Sequence, residues 1–200
     1  MASASFTRDE VILALDVFYS SPKGRVTADS DEIKELSLLL NRLPIHPVEN
    51  RRADFRSPAG ITTQLIRFRS SCISGKKGQN VGELFFHVAF EYEDRVNELH
   101  SIARAIRKNK EAFVSLFGSP LEDNGFPEGI LLGHLHNIIE QRDGAKLAMK
   151  DHCEICNSSP ALCYRNVGQL LQTHLVVAPT LMDYSEKYTA ESFLTVCPTC

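Results

Sequence analysis

The chain has 200 residues, of which 43% are hydrophobic and 24% are charged, and its formal net charge is −3. This composition is typical of a folded globular protein and argues against a surface that is basic throughout. No stretch of about eighteen apolar residues predicts a membrane span, and the N-terminal segment lacks the basic and apolar regions of a secretory signal. We therefore expect a cytoplasmic protein whose cysteines stay reduced.

Hydrophobic periodicity predicts helices in the first part of the chain. The first helix follows Thr7, and Glu10 stands three residues later in the arrangement of a capping box. A second helix is predicted to end before Pro44, where a loop rich in proline and charge begins. A third helix follows this loop, because Ser57 is a suitable N-cap and Pro58 suits the first helical position.

A basic, glycine-rich loop with the sequence SGKKGQN is predicted after the third helix. The apolar segment that follows is compatible with a helix or a strand, and we favour a helix. A strong helical pattern then ends before SPLEDNGFPEG, whose prolines and glycines predict a domain boundary. These features divide the chain into a helical domain at 1–118, a linking helix at 119–150 that weakens near Gly144, and a small module at 151–200.

Positive charge is concentrated in the first third of the chain. Between Arg42 and Lys77, eight arginine and lysine residues stand against Glu49 and Asp54. Such a local surplus in an acidic chain is typical of a face that binds nucleic acid, because clustered lysine and arginine side chains contact phosphates. The alternative is a solvated loop with ordinary surface arginines.

Four of the six cysteines form two pairs with CxxC spacing. Cys153 and Cys156 make the first pair, and Cys197 and Cys200 make the second pair after an interval of 40 residues. Each pair presents two thiolates from one tight turn, and two such turns supply the tetrahedral sulfur shell that Zn²⁺ favours. We predict a structural zinc site, and the alternatives are two unrelated cysteine pairs or a redox pair.

The segment between the two pairs, GQLLQTHLVVAPTLMDYSEKYTAESFLTVC, resembles the interior of an HNH nuclease module. Colinear blocks resemble Mcr-type HNH restriction endonucleases, namely FTRDEVILALDVFY, ELSLLLNRLPIHP, FRSPAGITTQLIRFR, FPEGILLGHLH and CEIC. The resemblance implies a mainly α protein whose C-terminal module has a ββα-metal fold. It also implies that the protein is a modification-dependent DNA endonuclease in host defence, acting on double-stranded DNA.

The same resemblance assigns His174 as the catalytic residue, either as a ligand of a divalent metal of the Mg, Mn or Ni class or as a general base. Ser192 stands where the family has a loop asparagine. The family's final histidine would be residue 201, so the module is expected to be incomplete and inactive in the chain as given. Because cleavage of both DNA strands requires two such modules, a homodimer is also expected.

In this family, a reader of modified DNA precedes the nuclease. The resemblance favours the sulfur-binding readers of backbone phosphorothioate, and readers of methylcytosine are the alternative. Recognition of sulfur requires an apolar surface beside cationic donors, which the proline-rich loop and its arginines offer. The candidate DNA-binding residues are His46, Pro47, Arg51, Arg52, Arg56, Ser57, Gln64, Arg67, Lys76 and Lys77.

Two other functions are compatible with the sequence. One is a DNA-binding protein that keeps the zinc site without catalysis. The other is a zinc-stabilised module for protein interactions, which predicts no salt-dependent affinity for DNA.

Overall fold

The computed structural model describes residues 4–74, 82–117, 129–144, 150–159 and 171–200. Lys76, Lys77 and most of the predicted boundary segment lie outside the described residues. The described part is mainly helical, as predicted, and the chain divides into two compact units, Met1–Leu131 and Leu132–Cys200. None of the described helices is both long enough and apolar enough to cross a membrane.

Seven α-helices and one two-stranded sheet account for most of the described residues. The helices are α1 (Arg8–Ser20), α2 (Asp31–Arg42), α3 (Pro58–Ser74), α4 (Glu83–Glu91), α5 (Val96–Lys108), α6 (Lys110–Leu116) and α7 (Ile130–Ile139). The strands are β1 (Gln172–Leu175) and β2 (Phe193–Val196), which pair in antiparallel orientation.

The first unit is built around α1, which packs against α2, α3, α4 and α5. The residues of α1 from Asp9 to Leu15 are buried on every side, because this helix is apolar around most of its circumference. In α5, by contrast, one apolar stripe faces the core, as its sequence predicts, and includes Leu99, Ile102 and Ile106. The core of this unit therefore lies on both sides of its first helix.

Two predicted helix starts are confirmed. The N–H of Thr7 donates to Glu10 Oε2 at 2.8 Å and forms part of the capping box of α1. Ser57 Oγ accepts the N–H of Gly60 at 3.2 Å in the first turn of α3, which begins at Pro58 as predicted. The ambiguous apolar segment after the basic loop forms α4, so the helical interpretation is also confirmed.

Asp9 ties the start of α7 to α1 within the first unit. Its two carboxylate oxygens accept the N–H groups of Ile130 at 2.8 Å and of Leu131 at 3.2 Å. These N–H groups belong to the first turn of a helix and have no partner within it. Gly129 precedes them with a φ of 96°, which a residue with a Cβ rarely adopts. Burial raises the pKa of Asp9 to about 6, although the two hydrogen bonds act in the opposite direction.

This raised pKa predicts a pH-dependent stability. A carboxyl group whose folded pKa lies above its unfolded value contributes stability that is complete below the unfolded pKa and is lost as the pH rises through the folded pKa. For Asp9 this range extends from about 4, the usual value, to about 6. We expect the free energy of unfolding of the native chain, relative to Asp9→Asn, to fall by about 2–3 kcal/mol over this range. Urea denaturation of both proteins at several pH values measures the difference, and a constant difference contradicts the assignment.

The second unit contains most of α7, a single π-helical turn at Glu140–Gly144 and the β1–β2 hairpin. In this hairpin, Gln172 lies opposite Val196 and His174 lies opposite Leu194. The π turn ends at Gly144, where the sequence predicts a weakened helix. Phe193 of β2 and Leu175 of β1 are buried and form part of the small core of this unit.

Candidate metal centre and candidate nucleic-acid interface

The four predicted cysteine ligands converge within the second unit. The Sγ atoms of Cys153, Cys156, Cys197 and Cys200 all lie within 4.8 Å of one another, and those of Cys156 and Cys197 are 3.7 Å apart. Zn–S bonds of about 2.3 Å give a tetrahedron with edges of about 3.8 Å, whereas two sulfur atoms in a disulfide lie about 2.05 Å apart. The predicted clustering is confirmed, and its geometry is compatible with a structural zinc ion.

Backbone N–H groups point at the sulfur atom of the first cysteine in each pair. The N–H of Cys156 lowers the pKa of the Cys153 thiol to about 6, and the N–H of Thr199 holds the pKa of Cys197 below its usual range. Hydrogen bonds with Cys156 and Cys197 raise the pKa of Cys200, and metal binding would displace the proton of this thiol. Because thiolates are the form that binds zinc, both turns favour metal binding.

The hairpin brings the two cysteine turns together. Glu154, in the first turn, donates its N–H to Thr195 O at 2.9 Å and accepts the N–H of Thr195 on Oε2 at 2.7 Å. Thr195 lies in β2, which leads directly into Cys197. Asn157 ends the first turn with a φ of 57°, a left-handed conformation that asparagine tolerates. Asn157 therefore favours the first turn locally, and the hydrogen bonds between Glu154 and Thr195 hold this turn next to the second.

A site with four cysteine ligands is closed, because protein sulfur fills every tetrahedral position and leaves no place for water or substrate. Such a site stabilises a fold and does not hydrolyse a bond. Among the residues that the structure describes, no second group of histidine, cysteine or acidic side chains has the spacing of metal ligands. The catalytic divalent metal implied by the resemblance therefore stays a prediction.

His174 lies in β1, and its side chain is about half exposed. Its Nδ1 lies 3.5 Å from Oε1 of Glu140, the first residue of the π turn. Ser192, which the resemblance aligns with a loop asparagine, directly precedes β2, and its carbonyl accepts the N–H of Val176 at 2.9 Å. The catalytic role of His174 stays a prediction. Glu140 was not predicted from the sequence, because no local pattern relates it to a strand so much later in the chain.

Arg56, a predicted DNA contact, lies inside the first unit. Its side chain is 4% exposed and donates to both carboxylate oxygens of Glu10, at 2.6 and 2.8 Å. It also donates to the backbone carbonyls of Ala4 and Ser5 at 2.9 and 2.7 Å. Its charge is therefore neutralised within the protein, and we correct its expected role from DNA contact to structural anchor.

His46 belongs to the same buried cluster. Its Nε2 lies 3.0 Å from Glu10 Oε2 and 3.2 Å from an Arg56 nitrogen. Burial alone would raise the pKa of Glu10, but the hydrogen bonds from His46 and Arg56 outweigh burial and hold this pKa below its usual range. His46 therefore joins its loop to α1. The sequence identified Glu10 only as a capping residue, because its other partners come 36 and 46 residues later.

Arg51 also points toward the protein. Its guanidinium donates to the carbonyls of Asn41 at 2.5 Å, Leu43 at 3.1 Å and His46 at 2.7 Å. The first two carbonyls lie at the end of α2, where carbonyl groups have no partner within the helix. Arg51 therefore fixes the loop that carries Pro47 and does not direct its charge to solvent.

Other predicted contact residues lie closer to the surface. Arg52 is exposed and pairs with Asp54 at 3.2 Å, an arrangement that costs little to open because both groups are solvated. Pro47 is partly exposed, and its neighbour Val48 is 73% exposed. Ser57 is engaged in capping α3.

Helix α3 carries positive charge without an acidic partner among the described residues. Arg67 is exposed and Arg69 is partly exposed, and neither makes an ion pair or hydrogen bond with another described residue. Gln64, partly exposed, lies one helical turn before Arg67. No acidic residue occurs between Asp54 and Glu83. Within the described part of the predicted DNA-binding surface, α3 therefore has the most positive charge that no acidic residue neutralises.

Comparison with models of protein families, with curated proteins and with solved structures found no match for this chain. The structure defines a mainly helical protein with a four-cysteine candidate metal site.

Proposed function

We propose that this protein binds duplex DNA that carries a backbone phosphorothioate, and that its second unit is a zinc-stabilised module of the HNH type. The observation that carries the proposal is the positive charge of α3: Arg67 is exposed, Arg69 is partly exposed on another side of the helix, and neither has an acidic partner among the described residues. The arginines of the preceding loop mostly serve the fold, so the proposed DNA interface is narrower than the sequence predicts.

The face of α3 has the chemistry of a helix that contacts a groove of DNA. Arginine contacts phosphates and guanine edges, and glutamine both donates to and accepts from adenine. Gln64 and Arg67 are three residues apart, so they lie on the same side of the helix. The absence of carboxylates in α3 removes repulsion from the phosphates. We assign Arg67 and Arg69 to phosphate or base contacts and Gln64 to base contacts.

The loop before α3 supports the recognition of sulfur. Val48 and Pro47 provide an apolar surface, and the exposed guanidinium of Arg52 lies on the same loop. Sulfur in a phosphorothioate is less hydrated than oxygen, so it gains from apolar contact while a cation meets the remaining charge. Because Arg51 fixes this loop through three carbonyls, little conformational entropy is lost when DNA binds.

In a complete enzyme of this type, the second unit would cleave the bound DNA by metal-assisted hydrolysis of a phosphodiester. The four-cysteine site would stabilise the module, and His174 would act at the reacting phosphate. A homodimer would place one such module on each strand. Cleavage depends on the HNH resemblance, whereas DNA binding depends on α3, so the two parts of the proposal are tested separately.

The DNA-binding part predicts a salt-dependent affinity that α3 controls. Replacing Arg67 and Arg69 together with alanine is expected to lower the affinity by about tenfold or more and to reduce the slope of log K against log salt by about 2. Gel-shift titrations over a range of salt concentrations measure both quantities. Matched duplexes with phosphorothioate, with 5-methylcytosine and without modification test which modification is read.

The control replaces Arg104 and Lys110 with alanine. Both are exposed cations without a partner among the described residues, and they lie on α5 and α6. This variant has the same change in net charge and is expected to keep the native affinity and slope. Equal weak binding to all three duplexes would refute the reading of a modification. Binding that does not change with salt would refute the DNA interface and favour a protein-interaction module.

A further inference from the structure

Glu140 is the centre of a polar cluster in the second unit. Its Oε1 accepts the N–H of Leu175 at 2.7 Å, and the same oxygen lies 3.0 Å from His136 Nε2 and 3.5 Å from His174 Nδ1. The Glu140 side chain is 18% exposed and that of His174 is 51% exposed. A mostly buried carboxylate therefore faces an imidazole that reaches solvent.

The backbone explains why these groups meet. His136 and Glu140 are four residues apart at the end of α7, so they share one face. The π turn begins at Glu140, directly after the last residue of α7. The N–H of Leu175 fixes β1 against this carboxylate, which brings His174 of the same strand next to it.

The position of the Glu140 carboxylate favours hydrogen on one nitrogen of His174. An ionised carboxylate only accepts hydrogen bonds, so a neutral imidazole facing it carries its hydrogen on the near nitrogen, which here is Nδ1. Nε2 then keeps its lone pair. The distance of 3.5 Å is long for a hydrogen bond, and a positive charge on His174 would strengthen the attraction to Glu140 and shorten it.

We propose that Glu140 is a positioning residue for His174 and that it holds Nδ1 protonated, so that Nε2 accepts a proton during phosphodiester hydrolysis. The hydrolytic step rests on the proposed function, whereas the orientation of His174 does not. In this step a water molecule gives its proton to Nε2 while its oxygen forms a bond to phosphorus. The bond from phosphorus to the leaving ester oxygen breaks, and that oxygen takes a proton from solvent.

Nitrogen NMR of the zinc-loaded chain, labelled with ¹⁵N at histidine, tests the orientation directly. In the native chain, neutral His174 is expected to carry hydrogen on Nδ1. In Glu140→Ala it is expected to lose this preference and to show mainly the Nε2–H form of free imidazole. Glu140→Gln keeps an acceptor for the N–H of Leu175 but lacks the charge, so it is expected to give a mixture. The amide signal of Leu175 reports whether the hairpin is intact in each variant.

Glu191→Gln is the matched control, because it removes one exposed carboxylate from the same unit. It is expected to leave the His174 spectrum unchanged. If native His174 shows the Nε2–H form, or if Glu140→Ala leaves the spectrum unchanged in a folded hairpin, the positioning role is refuted.

Cleavage of plasmid DNA with added Mg²⁺, Mn²⁺ or Ni²⁺ tests the hydrolytic step, because this step requires the chain as given to cleave DNA, whereas the resemblance implies an incomplete and inactive module. His174→Ala is expected to lower the rate by on the order of 10²-fold, and Glu140→Ala is expected to lower it by about tenfold or more. A chain that shows the Nδ1–H form and yet cleaves no DNA would refute the role in hydrolysis. Gel-shift binding reports the DNA interface independently, so failure of that interface is distinguishable from failure of the catalytic arrangement.

Discussion

Removal of the metal from the four-cysteine site is expected to unfold the second unit while the first unit keeps its helical structure. Metal binding to such a site contributes on the order of 10 kcal/mol to folding. The described part of the second unit has one two-stranded sheet, and a sheet of this size is marginally stable by itself. Cys153, Cys197 and Val196 form one packed cluster, so the ligands are also part of the local core.

The experiment compares the native chain with Cys153→Ser and Cys200→Ser. Freshly purified native protein is expected to contain about one zinc per chain by emission spectroscopy, and each variant is expected to contain much less. A strong chelator should then cause loss of the hairpin amide signals in the native chain, while the helical circular dichroism of the first unit persists. Susceptibility of the second unit to proteolysis should increase in parallel, because an unfolded segment is accessible to a protease.

Cys72→Ser provides the control for a lost thiol. Cys72 is an exposed cysteine of α3 outside both pairs, so its replacement is expected to change neither the zinc content nor the chelator response. A native protein with far less than one zinc per chain, or a hairpin that survives complete metal removal, would refute the zinc assignment.

The sequence correctly predicted the features that depend on residues close together in the chain. The capping box at Thr7 and Glu10 depends on residues three apart, and each CxxC turn depends on one tight bend. Both appear in the structure as the sequence indicates. The convergence of the two turns was also predictable, because a tetrahedral metal site requires four ligands and each turn offers only two.

Long-range pairing limited the prediction of the DNA interface. A count of charged residues assumes that every arginine can contact DNA. However, Arg56 pairs with Glu10 across 46 residues, and Arg51 donates hydrogen bonds to carbonyls of the loop and α2. The sequence contains no local signal for either arrangement, because both depend on how α1, α2 and the loop pack. Arg67 differs, since the whole of α3 lacks acidic residues and its surplus of charge was visible in the sequence.

Loss of the buried ion pair between Glu10 and Arg56 is expected to destabilise the first unit strongly. The two side chains are 0% and 4% exposed, and removing one partner leaves the other charge buried without compensation. Such changes cost about 3–5 kcal/mol in the free energy of unfolding. Glu10→Gln is the sharpest variant, because glutamine keeps the size of the side chain and is accepted at this position of a capping box. Its effect therefore reports the lost charge.

A double-mutant cycle separates the interaction energy of the pair from the effects of the two single replacements. It requires urea denaturation of four proteins, namely the native chain, Glu10→Gln, Arg56→Met and the double variant. The double variant is expected to be more stable than the sum of the two single losses predicts, because it leaves no buried charge unpaired. Glu91→Gln is the control, since its pair with Arg8 is partly solvated and is expected to contribute less than about 1 kcal/mol. An equally small effect of Glu10→Gln would contradict a structural role for the buried pair.

The pH dependence of this cycle gives a second test with a definite sign. The pKa of Glu10 lies below its usual range, so the stability it contributes is present above the unfolded pKa and is lost as the pH falls through the folded pKa. The stability difference between the native chain and Glu10→Gln should therefore shrink on acidification, in the opposite direction to the change expected for Asp9.

If Arg56 contacted DNA directly, Arg56→Met would lose affinity for DNA even where it is fully folded. We expect a folded Arg56→Met chain to bind DNA with the affinity of the native protein, because the charge that it removes is already neutralised by Glu10 inside the first unit.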